Sequence, residues 1–464
     1  MVGNDLYRNP NYIIENIFLS GRGLLYNFLR KGRTFKRIFS ELEYTQYLDP
    51  DEIKEWQEKR LFKLLMHAYQ NVPYYNRIFK KLGLRPEDIK GCKDLEKLPV
   101  LTKEDVRKNY SELLARNIPR YLMKKVFTSG TSGKPLKLYR DLYSINFENA
   151  IVWRQKRLAG VDFSDRFAVL REEHIVPFHV TQAPFWRYSI FEKKLFLSAY
   201  HLKRENVPYY VKALKDFRPV AIEAEPSLLY ILARLICSEG LRLDIPSLKA
   251  IFTSSEILTE NYRDLINKVF KVPIYDFYGN AERVAAIGMC ERHNYHIIPE
   301  AGIVEFLPVA GGKDLIGMEI VGTGLHNYAM PLIRYKTGDV VHLADFSCAC
   351  GRHSQVIEKI NGRMSDFLIT SDGRIAIDVC YMALKGLDNI EESQIIQEDI
   401  DKILVKVVPA RDFSNRDREL LINNIRSFMG IKTQVFVKEV SAIVENRENK
   451  FRPFISKVNR EVFL

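Results

Sequence analysis

The sequence predicts an α/β protein in two parts: a large multilayer domain over residues 1–361 and a small α+β domain over 362–464. Three observations carry that expectation. Residues 1–115 show mostly helical periodicity. From Val126 to about Val341, short β-branched runs alternate with helix-length segments. Past Gly362 the pattern changes to isolated strands around one helix.

In order along the chain, the apolar positions Ile53, Trp56, Leu61, Leu64 and Leu65 recur at helical spacing, and Pro73 closes that run. Pro86-Glu87-Asp88 and Thr102-Lys103-Glu104-Asp105 read as fresh helix starts, with Thr102 as N-cap and Asp105 three residues on. In the middle section 166–170, 221–224, 250–253 and 272–277 read as strands, and 226–237 and 259–270 as helices. Strands and helices that alternate in this way pack as layers. Beyond the junction at Gly362-Arg363-Met364-Ser365-Asp366, 403–408 and 435–440 read as strands and 417–429 as a helix.

Composition bounds the function. With 46% hydrophobic and 28% charged residues the chain reads as soluble and globular. No run of about 18 apolar residues predicts a spanning helix, and the first residues lack the apolar region of a secretory signal. Six cysteines in 464 residues suit a reducing cytoplasm better than a disulfide scaffold. The net charge of +12 calls for an anionic partner: polyphosphate, an anionic membrane or nucleic acid. Zinc-finger, RNP and helix-turn-helix patterns are missing, so nucleic acid is set aside. Between Arg22 and Phe39, basic residues alternate with Leu24, Leu25, Phe28, Leu29, Phe35, Ile38 and Phe39. That stretch reads either as a helix packed on its own domain with a solvated basic face, or as a peripheral contact with anionic lipid at the inner membrane face.

The chemistry starts at Phe127-Thr128-Ser129-Gly130-Thr131-Ser132-Gly133-Lys134-Pro135, a donor-rich loop between two apolar runs. Backbone amides in such a loop can wrap phosphate oxygens, and the same composition suits a plain hairpin turn. It is no Walker A loop: Thr128 takes the place of the first glycine, and Pro135 that of the Mg-binding hydroxyl. Downstream, in order, stand Thr253-Ser254-Ser255-Glu256, Tyr278-Gly279-Asn280-Ala281-Glu282, Arg334-Tyr335-Lys336-Thr337-Gly338-Asp339, Gly362-Arg363-Met364-Ser365-Asp366 and Glu448-Asn449-Lys450-Phe451-Arg452.

This ordered series resembles the core motifs of the adenylate-forming superfamily, and more narrowly the phenylacetate-CoA ligase and CapK-like group. Asn71-Val72-Pro73-Tyr74-Tyr75 and Leu98-Pro99-Val100-Leu101-Thr102-Lys103 are similar to that group too, and the resemblance spans residues 55–460. It implies the adenylate-forming fold with a mobile C-terminal domain. It also implies ATP-dependent activation of a carboxylate, followed by acyl transfer to CoA or to an amine, on a sugar or amino acid of polysaccharide biosynthesis. Ser129, Gly130, Thr131, Ser132, Gly133 and Lys134 would hold the β- and γ-phosphates. Ser254, Ser255 and Glu256 would lie along the adenine, and Tyr278, with Gly279 and Asn280 beside it, would stack on it. Glu282 would hold Mg²⁺, Asp339 the ribose hydroxyls. Arg363 would support the nucleotide, and Lys450 would swing in to neutralise developing charge. Two residues depart from the pattern: Asn449 stands where a glycine is usual, and Ser365 where the hinge acid is usual. These departures raise the alternative of a nucleotide-binding scaffold without turnover.

A second constellation is independent of the first. Cys290, His296, Cys348 and Cys350 would make a tetrahedral structural zinc site, with His293 a rival to His296. The CapK-like group carries a similar Cys and His followed by Cys-x-Cys-Gly. Cys92, Cys237 and Cys380 read as lone thiols. The stretch from Trp153 to Tyr200, rich in aromatics and histidines, falls where the acid would bind, and aromatic stretches are as a rule core.

Overall fold

The computed structural model describes residues 10–128, 136–177, 179–311, 314–363, 368–370, 375–376, 383–387, 389–441, 443 and 454–458. Five helices open it: α1 (Pro10–Arg30), α2 (Arg33–Thr45), α3 (Pro50–Asn71), α4 (Pro73–Leu82) and α5 (Lys103–Lys108). Asp49 with Glu52 forms a capping box on α3, and Thr102 with Asp105 forms one on α5. Pro73 both ends a helical run and begins one, because its missing N–H costs nothing at the first position of α4. Pro86–Asp88 is a single 3₁₀ turn and not the start of a longer helix.

The stretch from Arg22 to Phe39 divides at Gly32, and its two halves behave differently. Phe35, Ile38 and Phe39 of α2 are buried against α6 (Leu142–Leu158), so they are core and unavailable to lipid. On α1, Ile14, Ile17, Phe18, Leu24, Leu25 and Phe28 remain exposed.

A hairpin of β1 (Lys124–Phe127) and β2 (Lys137–Arg140) flanks the donor-rich loop. The following strands are β3 (Phe167–Arg171), β4 (Trp186–Ser189), β5 (Lys194–Ser198), β6 (Ala221–Ala224), β7 (Ala250–Ser254) and β8 (Ile274–Gly279). They are joined by α6, α7 (Val207–Phe217), α8 (Pro226–Ser238) and α9 (Glu260–Phe270). β8 starts two residues later than its sequence suggested, as Pro273 has no N–H to give a ladder. Strands β9 (Ala286–Met289), β10 (Tyr295–Ile297), β11 (Gly302–Gly311), β12 (Asp314–Gly324), β13 (Tyr335–Leu343) and β14 (Val356–Arg363) complete a twelve-stranded sheet. Its order is β11-β12-β13-β14-β10-β9-β8-β7-β6-β3-β5-β4. The run β5-β3-β6-β7-β8 is parallel, which buries both faces. Ala168, Leu170, Ile222, Ala224 and Ile251 pack under α7 and α8, while Phe167, Ala221, Ala250, Phe252 and Tyr275 pack with residues of α2 and α6.

The small part holds β15 (Leu368–Ile369), β16 (Ile375–Ala376), β17 (Ile390–Asp399), β18 (Lys402–Pro409), α10 (Asn415–Met429), β19 (Gln434–Glu439) and β20 (Phe454–Ser456). Four of these strands form a sheet in the order β19-β18-β17-β20. Its own core, including Ile395, Ile403, Val405, Leu421 and Ile425, makes it an α+β unit.

Candidate active site

In an open parallel sheet, ligands bind beyond the carboxyl ends of the strands. There β8 runs into Tyr278-Gly279-Asn280-Ala281-Glu282. The Tyr278 hydroxyl donates to Asp339 Oδ2 on β13 at 2.5 Å, and Asn280 Nδ2 donates to the Tyr278 oxygen at 3.4 Å. Burial, and the Asp339 carboxylate beside it, hold the Tyr278 phenol well above its ordinary range, so it stays a donor. Asp339 pairs in register with Arg363 on β14, which brings two sequence-predicted positions onto adjacent strands.

Glu282 is buried. Its Oε1 accepts from the Tyr335 hydroxyl at 2.9 Å, and its Oε2 has no hydrogen-bond partner among the described residues. A buried carboxylate oxygen without a partner is costly, and it is the donor type a hard divalent cation takes. The residues therefore fit Mg²⁺. Beneath this turn Gly302, Gly322 and Gly324 let the strands approach its backbone: a Cβ on Gly322 would lie 2.6 Å from the Val284 carbonyl oxygen.

Ser254 ends β7, and its Oγ accepts from Arg171 Nη2 at 3.2 Å. Ser255 adopts a φ of 78°, which turns the chain sharply after the strand. Glu256 Oε2 accepts from the Ser227 amide at 3.0 Å in the first turn of α8, an anchor that fixes the segment bearing the two serines. At the neck of the donor-rich loop, Thr128 and Leu136 bond reciprocally: Thr128 N donates to Leu136 O at 2.9 Å, and Leu136 N to Thr128 Oγ1 at 2.8 Å. Ser129, Gly130, Thr131, Ser132, Gly133 and Lys134 lie outside the described residues, as do Ser365, Asn449, Lys450 and the side chain of Arg363.

On the far side of the sheet edge, Cys290, His296, Cys348 and Cys350 come together with their ligand atoms within 4.8 Å of one another. Cys290 and Cys348 sulfurs are 3.8 Å apart, and Cys350 Sγ is 3.4 Å from His296 Nε2. Two thiolates about 2.3 Å from one tetrahedral ion stand ~3.8 Å apart, so the four residues fit zinc. His296 Nδ1 faces Ser354 Oγ at 3.5 Å, leaving Nε2 toward the sulfurs. His293 does not join the cluster; it is exposed, on a residue with φ 60°. Cys92 is half-buried beside the helical core and Cys237 is exposed, while Cys380 lies outside the described residues.

A model of the CapK C-terminal domain matches residues 368–457. Protein CapK of Staphylococcus aureus is 28% identical over 412 residues, covering 88% of this chain and 89% of CapK. A phenylacetate-coenzyme A ligase of Thermus thermophilus is 28% identical over 340 residues, 69% of this chain and 73% of the relative. The fold agrees: the crystal structure of a 2-hydroxyisobutyryl-CoA ligase in its postadenylation state superposes with a TM-score of 0.67 at 18% identity, covering 90% of this chain and 92% of that one. The chain is a homologue of CapK and of phenylacetate-CoA ligase, and it has the fold of the adenylate-forming ligases.

An adenylate-forming ligase needs more than its motifs, and the structure supplies residues that the motifs do not name. A cavity of about 430 Å³ lies against the nucleotide motifs. Alternate residues of β3, β5, β6, β7 and β8 make its floor, α6 one wall, and Arg22, Tyr26 and Arg30 of α1 its cover. Beside Glu282, Arg140 Nη2 donates to the Ala281 carbonyl at 2.5 Å, while its Nε is buried without an acceptor. Burial and the neighbouring Arg283 push Arg140 down to about 10. Arg283 Nη1 in turn donates to the Ser144 carbonyl at 2.7 Å. The available signal was position: Arg140 ends the hairpin that flanks the donor-rich loop, and Arg283 follows Glu282 directly. The aromatics of the Trp153–Tyr200 stretch are mostly core, with Trp153, Phe167, Phe185 and Trp186 buried. Its polar residues Arg171 and Lys194 reach the cavity.

Proposed function

We propose that this chain activates a carboxylic acid with ATP and passes the acyl group to an acceptor. A carboxylate oxygen attacks the α-phosphorus, the new O–P bond forms as the bond to pyrophosphate breaks, and pyrophosphate leaves. The acceptor then attacks the acyl carbon and AMP departs. The observation that carries this reading is the orphaned Oε2 of buried Glu282 beside the Tyr278–Asp339 pair. Mg²⁺ held by Glu282 would supply charge neutralisation on the phosphates. Tyr278 and Asp339 would fix the base and the ribose, with Ser254, Ser255 and Arg363 around them. The loop 129–135 would wrap the β- and γ-phosphates, and Lys450, carried by the small domain, would approach the reacting centre. Zinc on Cys290, His296, Cys348 and Cys350 would be structural, since four protein ligands leave no open position.

The acceptor is CoA, which the name of the phenylacetate-coenzyme A ligase relatives supports, or an amine on a sugar or amino acid, as the sequence resemblance implies. Mass spectrometry of the products separates the two: a thioester forms from CoA alone in the first case, and an amide forms without CoA in the second. A basic, apolar α1 further supports a peripheral site of action at an anionic membrane face, with Arg33, Lys36 and Arg37 exposed just after its apolar stripe.

A further inference from the structure

The cavity below the adenylate motifs has a charge pattern of its own. It is lined by seven cationic side chains against four carboxylates. At its deep end Lys156 and Lys194 share the single carboxylate of Glu223: Lys156 Nζ meets Oε1, and Lys194 Nζ meets Oε2 at 2.9 Å. Arg171 stands near them, one nitrogen bonded to the Ser254 hydroxyl and its buried Nε without an acceptor among the described residues. Arg22, descending from α1, also buries an Nε that meets no acceptor. Burying cations in excess of their counter-charges is unfavourable unless an anion completes the set.

The position of this end matters as much as its charge. Glu223 lies in register with Phe252, and Phe252 with Tyr275, so all three stand in one row across the sheet. Tyr275 is four residues along β8 from Gly279 of the nucleotide motif, about 13 Å at the rise of a strand. Lys156 and Lys194, held at Glu223, therefore face the part of the acid farthest from the carboxylate that reacts, while Arg171 stands two residues nearer the nucleotide motif, level with Ser254. Granted the acid-activating reading above, on which this rests, we infer that the acid carries a second anionic group, a carboxylate or a phosphate, seated on Lys194 and Lys156. An aryl or alkyl monocarboxylic acid would leave those cations uncompensated. Burial drives Lys156 down to about 8 even with Glu223 against it, which agrees with a floor short of negative charge.

The test is pyrophosphate exchange into ATP with three classes of acid at equal concentration: aryl and alkyl monocarboxylic acids, dicarboxylic acids, and phosphorylated carboxylic acids. One of the last two should give kcat/KM about tenfold or more above the first, and which of them does so identifies the anion. In Lys194→Met, with Lys156→Met as a second variant should the first fold poorly, KM for the favoured acid should rise about tenfold while KM for ATP holds within about twofold. Monocarboxylic acids used equally well, or variants with unchanged KM, would overturn the inference and leave acid activation standing. Exchange with no acid of any class would instead remove the acid-activating reading itself.

Discussion

His326 shows how the site fixes a protonation state. It is fully buried, stacked on Phe147 at a centroid distance of 4.6 Å, with Nδ1 3.3 Å from Ser144 Oγ. Burial first, then Arg283, Arg140 and Arg60, push its pKa down to about 3. The folded value lies below the unfolded one near 6.5, so between pH 3 and 6.5 the unfolded chain binds more protons. The contribution is therefore complete above pH 6.5 and is lost as pH falls through that window, at up to about 1.4 kcal/mol per pH unit. Urea unfolding at pH 7 and pH 4.5 should show a loss in the wild type roughly 2–3 kcal/mol larger than in His326→Gln. Equal losses in both proteins would mean that the imidazole is not held neutral. Nothing in the sequence near Leu325-His326-Asn327 marked this residue, because its environment is assembled from α6 and from arginines distant along the chain.

Elements tell a mixed story about legibility. Strands such as β6 and β18 and helices such as α8 and α9 declare themselves by period and caps, since one buried face imposes one repeat. The cavity does not, because it is made of every second residue from five strands, and period 2 cannot say which face holds ligand. The Cys/His cluster was legible from ligand type and spacing, and the strand-like Tyr295-His296-Ile297 favoured His296 over its rival His293, the pairing of β10 with β9 bringing His296 to the cysteines. Purified protein should carry about one zinc per chain, measured by metal analysis. Cys348→Ser should lose that zinc and melt several degrees lower, and a metal-free wild type of equal stability would exclude the site. At the Glu282 turn, Gly322→Ala would set a Cβ 2.6 Å from the Val284 oxygen and 2.8 Å from its Cγ2. Backbone cannot yield there cheaply, so denaturant titration should show a loss of about 1–3 kcal/mol. An unperturbed midpoint would mean that β12 does not brace the turn as described.

At the scale of the whole molecule, two places among the described residues concentrate positive charge. One is the cavity with its surplus of buried cations; the other is the exposed surface around α1. No helix among the described residues is long and apolar enough to cross a membrane, so α1 would lie on a bilayer surface. Wild-type protein should float with anionic vesicles at low salt and not with neutral ones, and Phe18→Ser combined with Phe28→Ser should abolish flotation. Flotation that survives those changes would move the contact elsewhere, and a change of oligomeric state without vesicle binding would assign the stripe to a second copy. The two-part architecture was legible in the change of pattern past Gly362, because the small unit has its own sheet and its own core. Acid activation is the central step proposed for this protein, and carboxylate-dependent exchange of labelled pyrophosphate into ATP reads it directly. Exchange should appear with an acceptable acid and Mg²⁺, and fall about a hundredfold or more in Glu282→Gln and in Lys450→Ala. ATP binding with no exchange over a broad range of acids, or exchange indifferent to both substitutions, would contradict it.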